Sequence, residues 1–184
     1  MFFFSENSDK TFVPGSLEHA YFAILDDDLK AARSVFVAND SPRARWGVAL
    51  VDILSGYIEK YPTYFEVRNF LEIDLDFLLK NNKMDYVEQL LGALKLLSDI
   101  NQETYKYVAR VMFENKLYLA AKNYMDKSKS IFYNDPELHF MLTKYYIHER
   151  DYSKASAHID ECLKILPDYF PAKKLKTELS RFVA

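Results

Sequence analysis

The feature that most limits the possible folds of this chain is a helix–turn–helix pattern in residues 136–169. Asp135 is a good N-cap for the first helix, and Pro136 suits its first turn. The first helix carries apolar side chains at helical spacing, at Leu138, Met141, Leu142, Tyr145 and Tyr146. A second helical pattern follows the polar group at 149–151 and stops at Pro167, because proline cannot continue a helix interior. Two such helices predict a helical hairpin.

The same pattern recurs toward the N-terminus at a period of 34 residues. Four positions of the second helix align in three repeats: Tyr152, Tyr118 and Met84; Ala155, Ala121 and Val87; Ile159, Met125 and Leu91; Cys162, Ser128 and Leu94. This agreement predicts an array of stacked helical hairpins. Val87 and Leu94 are bulky where the other repeats are small, so we expect the helices of the repeat at 68–101 to cross at a looser angle.

The best repeat resembles the tetratricopeptide repeat (TPR), a 34-residue helix–turn–helix with an Ala-x3-aromatic pair in its second helix and a closing proline. The matching residues are Leu142, Tyr146, Asp151, Tyr152, Ala155, Ile159, Cys162 and Pro167. His139 and Thr143 stand where the family has Trp and Gly. The resemblance is clearest at 136–169 and weaker at 102–135 and 68–101.

The resemblance implies an all-α fold of antiparallel helical hairpins, stacked as a right-handed TPR-like superhelix (an α-solenoid). We expect about nine or ten helices in one continuous domain. Its parts would be an N-terminal arm at 1–15, degenerate helical hairpins at 16–67, three repeats at 68–169 and a capping helix at 170–184. The phenylalanines at 2–4 would either cap the first hairpin or contact a partner.

Composition narrows the class of function. The chain has 184 residues, with a net charge of −3, one cysteine, four glycines and six prolines. This charge does not suggest a nucleic-acid partner, and one cysteine excludes an intrachain disulfide. No run is long enough to span a membrane. The apolar start at residues 1–4 lacks the basic leader and cleavage site of a signal peptide. We therefore predict a cytoplasmic protein.

The sequence contains no recognisable catalytic or metal-binding motif. There is no Gly-rich phosphate loop, no paired histidines at metal spacing and no Gly-x-Ser-x-Gly elbow. The acidic residues at 26–28 lack the spaced ligands of a cation loop, so we interpret them as helix-capping residues. We predict no cofactor, no metal and no enzymatic activity.

The TPR resemblance also implies a ligand groove lined by the first helix of each repeat. Its family contact positions correspond here to partner-binding residues Lys106, Arg110, Phe113, Phe140, Lys144 and His148. Basic side chains beside apolar ones can hold a carboxylate of a peptide while an apolar side chain is buried next to it. Glu72 and Asp76 replace the Lys and Asn with which some relatives clamp a C-terminal carboxylate, so we do not expect that binding mode.

The function that follows is non-enzymatic binding of a protein or peptide, as by a TPR adaptor. Two alternatives remain open. One is a homodimeric regulatory or chaperone-like subunit that uses the aromatic N-terminal part, and the other is an enzyme on a helical scaffold.

Overall fold

The computed structural model describes residues 13–58 and 61–181, and these residues form helices and loops without any strand. The chain divides into two compact units, residues 1–61 and 62–184. The expected single continuous domain stays a prediction. The predicted all-α fold is confirmed. The N-terminal phenylalanines at 2–4 lie outside the described residues.

The described part of the first unit contains three helices, α1 (Leu17–Leu25), α2 (Leu29–Val37) and α3 (Pro42–Ser55). Each begins at a side chain that accepts a hydrogen bond from a free backbone N–H, and these N-caps are Ser16, Asp28 and Ser41. Asp28 therefore caps a helix, as predicted. Phe36 is buried in the core and packs against Gly47, where an added Cβ would overlap its ring. The absence of a side chain at Gly47 thus lets α2 and α3 approach closely.

The described part of the second unit contains nine α-helices and one π-helical segment. In chain order they are α4 (Tyr64–Asn69), the π segment (Phe70–Asp74), α5 (Leu75–Lys80), α6 (Met84–Gly92), α7 (Leu94–Ile100), α8 (Thr104–Glu114), α9 (Tyr118–Ile131), α10 (Pro136–His148), α11 (Tyr152–Ile165) and α12 (Phe170–Leu179). The strongest packing between helices of this unit is within the hairpins α8–α9 and α10–α11.

The 34-residue period is visible in the backbone of this unit. Asn82, Lys116 and Arg150 each adopt a left-handed conformation, with φ of 55°, 63° and 60°. The N–H of the next residue then bonds to the carbonyl five residues earlier, at 2.9–3.0 Å in all three turns. This is the Schellman pattern of helix C-termini. Because the same turn recurs every 34 residues, the three hairpins in which it connects the two helices are structurally equivalent.

The repeated small positions are also equivalent. Val87, Ala121 and Ala155 are each the fourth residue of their helices, α6, α9 and α11, and all three are buried. Leu91 differs from the prediction, because it is only half-buried while Leu90 is fully buried. In the repeat at 68–101, the fourth residue of the second helix is therefore buried as in the other repeats. The next buried residue lies one position earlier than predicted, at Leu90.

The apolar spacing of residues 63–80 and of residues 84–98 predicts one helix for each stretch, and both helices are interrupted in the structure. The helix expected at 63–80 contains the π segment, in which the Leu75 N–H bonds to the Phe70 carbonyl. No proline or glycine in this stretch marks the change. The helix expected at 84–98 breaks at Ala93, directly after Gly92, and glycine weakens a helix interior. The predicted count of nine or ten helices did not include these breaks.

The last helix, α12, packs against α11. Ala172 and Leu179 join the buried cluster that contains Ala155, Ile159 and Cys162. Helical spacing places Phe170 on the same apolar face of the sequence pattern, but its side chain is 74% exposed.

Candidate ligand groove of the second unit

A groove with a volume of about 580 Å³ lies beside α8 and α10. Its lining residues are Arg110, Phe113, Glu114, Lys116, Tyr118, Glu137, Phe140, Met141, Lys144 and Tyr169. They come from α8 and α10, the first helices of successive hairpins, from the turn after α8 together with the first residue of α9, and from the residue that precedes α12. The TPR-like arrangement therefore gathers residues from four separate stretches around one space.

Aromatic rings form much of the groove wall. Phe113 packs edge-on against Tyr118, with ring centroids 5.2 Å apart, and Phe140 packs edge-on against Tyr169 at 5.3 Å. The Lys144 ammonium lies 4.8 Å from the centre of the Phe140 ring, within the range of a cation–π interaction. Phe113 is thus packed against Tyr118, and Phe140 lies between Tyr169 and the Lys144 ammonium.

Arg110 is neutralised at the edge of the groove. Its guanidinium donates to a carboxylate oxygen of Glu72, in the π segment, and to one of Glu137, in α10. Glu72 also accepts a hydrogen bond from Arg68 at 3.1 Å. Arg110 thus connects three helical segments of the unit, and its charge is already balanced by protein carboxylates.

Lys106 does not line the groove. Its side chain is 4% exposed, and its ammonium contacts Asp135 at 2.6 Å, Glu103 at 2.7 Å and Glu137 at 3.2 Å. Burial alone would lower the pKa of Lys106, but the hydrogen bonds to Asp135 and Glu103 outweigh it and raise the pKa. The predicted ligand contact is therefore a buried cation that is already paired with three carboxylates.

The carboxylates around Lys106 have structural partners of their own. Asp135 caps α10 by accepting from the backbone N–H groups of Glu137 and Leu138. Glu103 accepts from the Tyr107 hydroxyl at 2.6 Å and the Tyr64 hydroxyl at 3.2 Å. Burial would raise the pKa of Glu103, but its hydrogen bonds with Lys106 and Tyr107 lower it instead. The cluster is a structural charge network.

Four of the six predicted contact residues line the groove together, namely Arg110, Phe113, Phe140 and Lys144. His148 lies next to it, with its ring centroid 3.8 Å from that of Tyr118. Sequence reasoning missed Lys116, Tyr118 and Tyr169, because the family positions were counted along the first helices alone. The available signal was the two aromatic residues at the start of α9 and directly before α12.

A partly buried histidine pair joins α10 and α11 away from the groove lining, with His139 fully buried and His158 only half-buried. The Nδ1 atoms of His139 and His158 are 3.1 Å apart, and His139 Nε2 is 2.9 Å from the Tyr133 carbonyl oxygen. A neutral pair fits this geometry, with His139 donating to the carbonyl and accepting from His158. Burial lowers the pKa of His139, and burial and the neighbouring His139 lower the pKa of His158 to about 4. The stacked rings of Tyr105 and Tyr124 occupy the equivalent positions one repeat earlier.

The described residues hold no group of three or more His, Cys, Asp or Glu side chains placed to bind a metal ion. None of the described helices has the length and apolar character needed to cross a membrane. The thiol of Cys162 is buried, and burial raises its pKa to about 11. It is a core side chain, like Ser128 at the aligned position of the previous repeat.

Comparison with known proteins rests on the fold. No protein-family model matches the sequence, and no curated protein matches it. The structure is similar to a chain in the crystal structure of the APC/C hetero-tetramer Cut9–Hcn1, with a TM-score of 0.52 and 18% sequence identity. The match covers 87% of this chain and 34% of the other, so this chain spans about a third of that length. Together with the helices described above, this likeness shows that the chain has a TPR-like, all-helical fold.

Proposed function

We propose that the second unit binds a segment of another protein in the groove beside α8 and α10, and that the chain acts as a non-enzymatic adaptor. The observation that carries the proposal is the groove itself. Four aromatic side chains, Phe113, Tyr118, Phe140 and Tyr169, line a space of about 580 Å³ beside charged groups. Apolar walls with a few placed charges suit a peptide, which offers both kinds of contact.

The structural neighbour supports an assembly role. It is a chain of a hetero-tetramer, and so belongs to a complex with other chains. We extend that role to this protein as part of the proposal, together with its cytoplasmic location. The absence of an enzymatic activity stays a prediction.

Selection of peptides from a displayed random library, with the full chain as bait, tests this function. An isotope-labelled sample titrated with a selected peptide should show amide chemical-shift changes concentrated at groove residues such as Phe113, Phe140 and Lys144. Shifts confined to α9 and α11, or a library that yields no binder, would contradict the proposal. Binding at the groove by a peptide without enrichment of any charge would still support it.

The homodimer hypothesis uses the aromatic N-terminal part, whose phenylalanines at 2–4 lie outside the described residues. Light scattering at micromolar concentration separates it from the adaptor hypothesis, because a strictly monomeric protein excludes a dimeric role.

A further inference from the structure

We infer that the groove selects a segment in which an internal Asp or Glu lies within two residues of an aromatic or large aliphatic side chain. This inference rests on the proposed function and adds the chemistry of the partner. The carboxylate would bind at Lys144 and Lys116, and the apolar side chain would pack against Phe140 and Tyr169.

The cations that would bind the ligand carboxylate are not all those expected from the sequence. Arg110 already bonds to Glu72 and Glu137, and Lys106 is buried among three carboxylates. By contrast, no carboxylate within residues 13–58 and 61–181 pairs with the ammonium of Lys116 or Lys144. These two lysines are therefore the groove cations that a ligand carboxylate can pair with at no cost to an existing ion pair.

The position of Lys144 explains why an acidic and an apolar side chain should be close in sequence. Its ammonium lies 4.8 Å from the centre of the Phe140 ring, and the Phe140 ring contacts Tyr169. An ammonium has three N–H donors, and the ring face leaves some of them for a carboxylate. A carboxylate bound there brings neighbouring residues of its own chain against the same aromatic wall.

A cationic partner residue is the main rival, because aromatic rings also attract cations. Here Lys144 already occupies a cation–π position at Phe140. Glu137 in the groove is engaged by Arg110, which leaves Glu114 as the one lining carboxylate without an ion pair among the described residues. Among the described residues, the groove lining therefore has two cations without an ion pair, Lys116 and Lys144, and one such carboxylate, Glu114. This excess of positive charge favours an anionic ligand group.

The anion is assigned to a side chain and not to a chain terminus. A terminal carboxylate needs several donors that converge on it, and Arg110, the groove residue best suited to bidentate bonding, is occupied. Asp76, where some TPR proteins have a clamping asparagine, pairs with Lys80 at 2.6 Å. The carboxylate is therefore expected inside the segment, at the position of an Asp or Glu side chain.

The test uses the selected peptides with both ends blocked, as acetylated and amidated synthetic probes. We expect an Asp or Glu within two residues of an aromatic or large aliphatic residue in most of them. Lys144→Glu should weaken binding at least tenfold, Lys144→Met should weaken it less, and Lys116→Glu should have a smaller effect in the same direction. Lys95→Glu, an equal charge change on α7 outside the groove lining, should leave affinity within twofold.

A charge swap completes the design. Lys144 is exposed, so its variants should fold. Replacing the peptide carboxylate by lysine should restore part of the affinity for the Lys144→Glu protein. Peptides that shift groove amides but bind Lys144→Glu as tightly as the parent would overturn this inference while leaving the proposed function intact. Selected peptides that bind only through a free C-terminal carboxylate would also overturn it. Absence of any groove-binding peptide would overturn both.

Discussion

The Lys106 ammonium on α8 lies 2.6 Å from the carboxylate of Asp135, the residue that caps α10, and both side chains are almost completely buried. One interaction thus joins successive hairpins and fixes the start of the second. Burying a charge is unfavourable unless it is paired, so each partner depends on the other.

We predict that Lys106→Ala lowers the free energy of unfolding by about 3–5 kcal/mol, because it leaves the buried carboxylate of Asp135 without its cation. Chemical denaturation measures the change. Lys154→Ala is the matched control, since Lys154 also pairs with an aspartate at 2.7 Å but is 62% exposed. Its loss should be much smaller than that of Lys106→Ala, because an exposed ion pair contributes little to stability.

The double variant Lys106→Met/Asp135→Asn distinguishes pairing from size. Asparagine keeps the ability to cap α10, and methionine fills similar space without a charge, so stability should recover partly from the loss seen in Lys106→Ala. Equal losses in Lys106→Ala and Lys154→Ala would show that the buried pair has no special role.

Gly47 and Gly92 provide a second prediction, because both are helical and only one is crowded. A Cβ at Gly47 would overlap the Phe36 ring, whereas a Cβ at Gly92 would meet no atom within 4 Å. Gly47→Ala should therefore destabilise the first unit by about 1–3 kcal/mol through overpacking. Gly92→Ala should stabilise the chain by up to about 1 kcal/mol, because alanine favours the helix.

Thermal unfolding of the two variants provides the measurement. The double variant Gly47→Ala/Phe36→Leu should lose less melting temperature than the sum of the losses in the two single variants. The reason is that the smaller leucine side chain relieves the overlap with the alanine Cβ. A lower melting temperature for Gly92→Ala would contradict the open space at that position.

The turn after α10 carries the third prediction. Arg150 has φ of 60° and makes no ion pair within the described residues. A left-handed conformation costs a non-glycine residue about 1–2 kcal/mol. Replacing Arg150 by glycine removes this cost, but part of the gain is lost because glycine has more conformational freedom in the unfolded chain. Arg150→Gly should thus raise the free energy of unfolding by about 0.5–1 kcal/mol.

Ala157→Gly, at an exposed position inside α11, is the opposite control for Arg150→Gly. It should lower stability by about 1 kcal/mol, as glycine does in a helix interior. If both glycine variants destabilise the chain, the left-handed turn carries no strain at Arg150.

These turns show what the sequence reveals and what it does not. Caps such as Ser41 and Asp135 are local, so the residues next to them suffice to predict the helix start. The 34-residue period is also readable, because Ala121 and Ala155 repeat a small residue at a fixed place. The π segment leaves no such mark, since no proline or glycine signals it.

The groove was only partly predictable, for a different reason. Counting positions along α8 identified Arg110 and Phe113 as groove residues, but it placed Lys106 beside them. The burial of Lys106 depends on Asp135, which is 29 residues away and reaches it only through the stacking of hairpins. Tyr118 and Tyr169 lie outside the first helices, so periodicity within those helices gave no reason to include them.

The histidine pair supplies the last prediction, a loss of stability in mild acid. The pKa of His158 is lowered to about 4, below its ordinary value near 6.5, so the unfolded chain binds a proton more readily. Its contribution is fully present above pH 6.5 and is lost as pH falls toward 4. Between pH 7 and pH 4 we expect this pair to account for a decrease of about 1–3 kcal/mol, allowing for partial solvent screening.

The double variant His139→Tyr/His158→Tyr isolates this effect from the titration of carboxylates such as Glu103. It rebuilds the stacked pair that Tyr105 and Tyr124 form one repeat earlier, where nothing titrates near neutral pH. Charged groups near the pair, including Lys129, Asp135 and Glu161, are unchanged. Denaturation at several pH values should therefore give a shallower decrease for the variant between pH 7 and pH 4. If parent and variant lose stability equally over that range, proton uptake by His139 and His158 does not control the packing of α10 on α11.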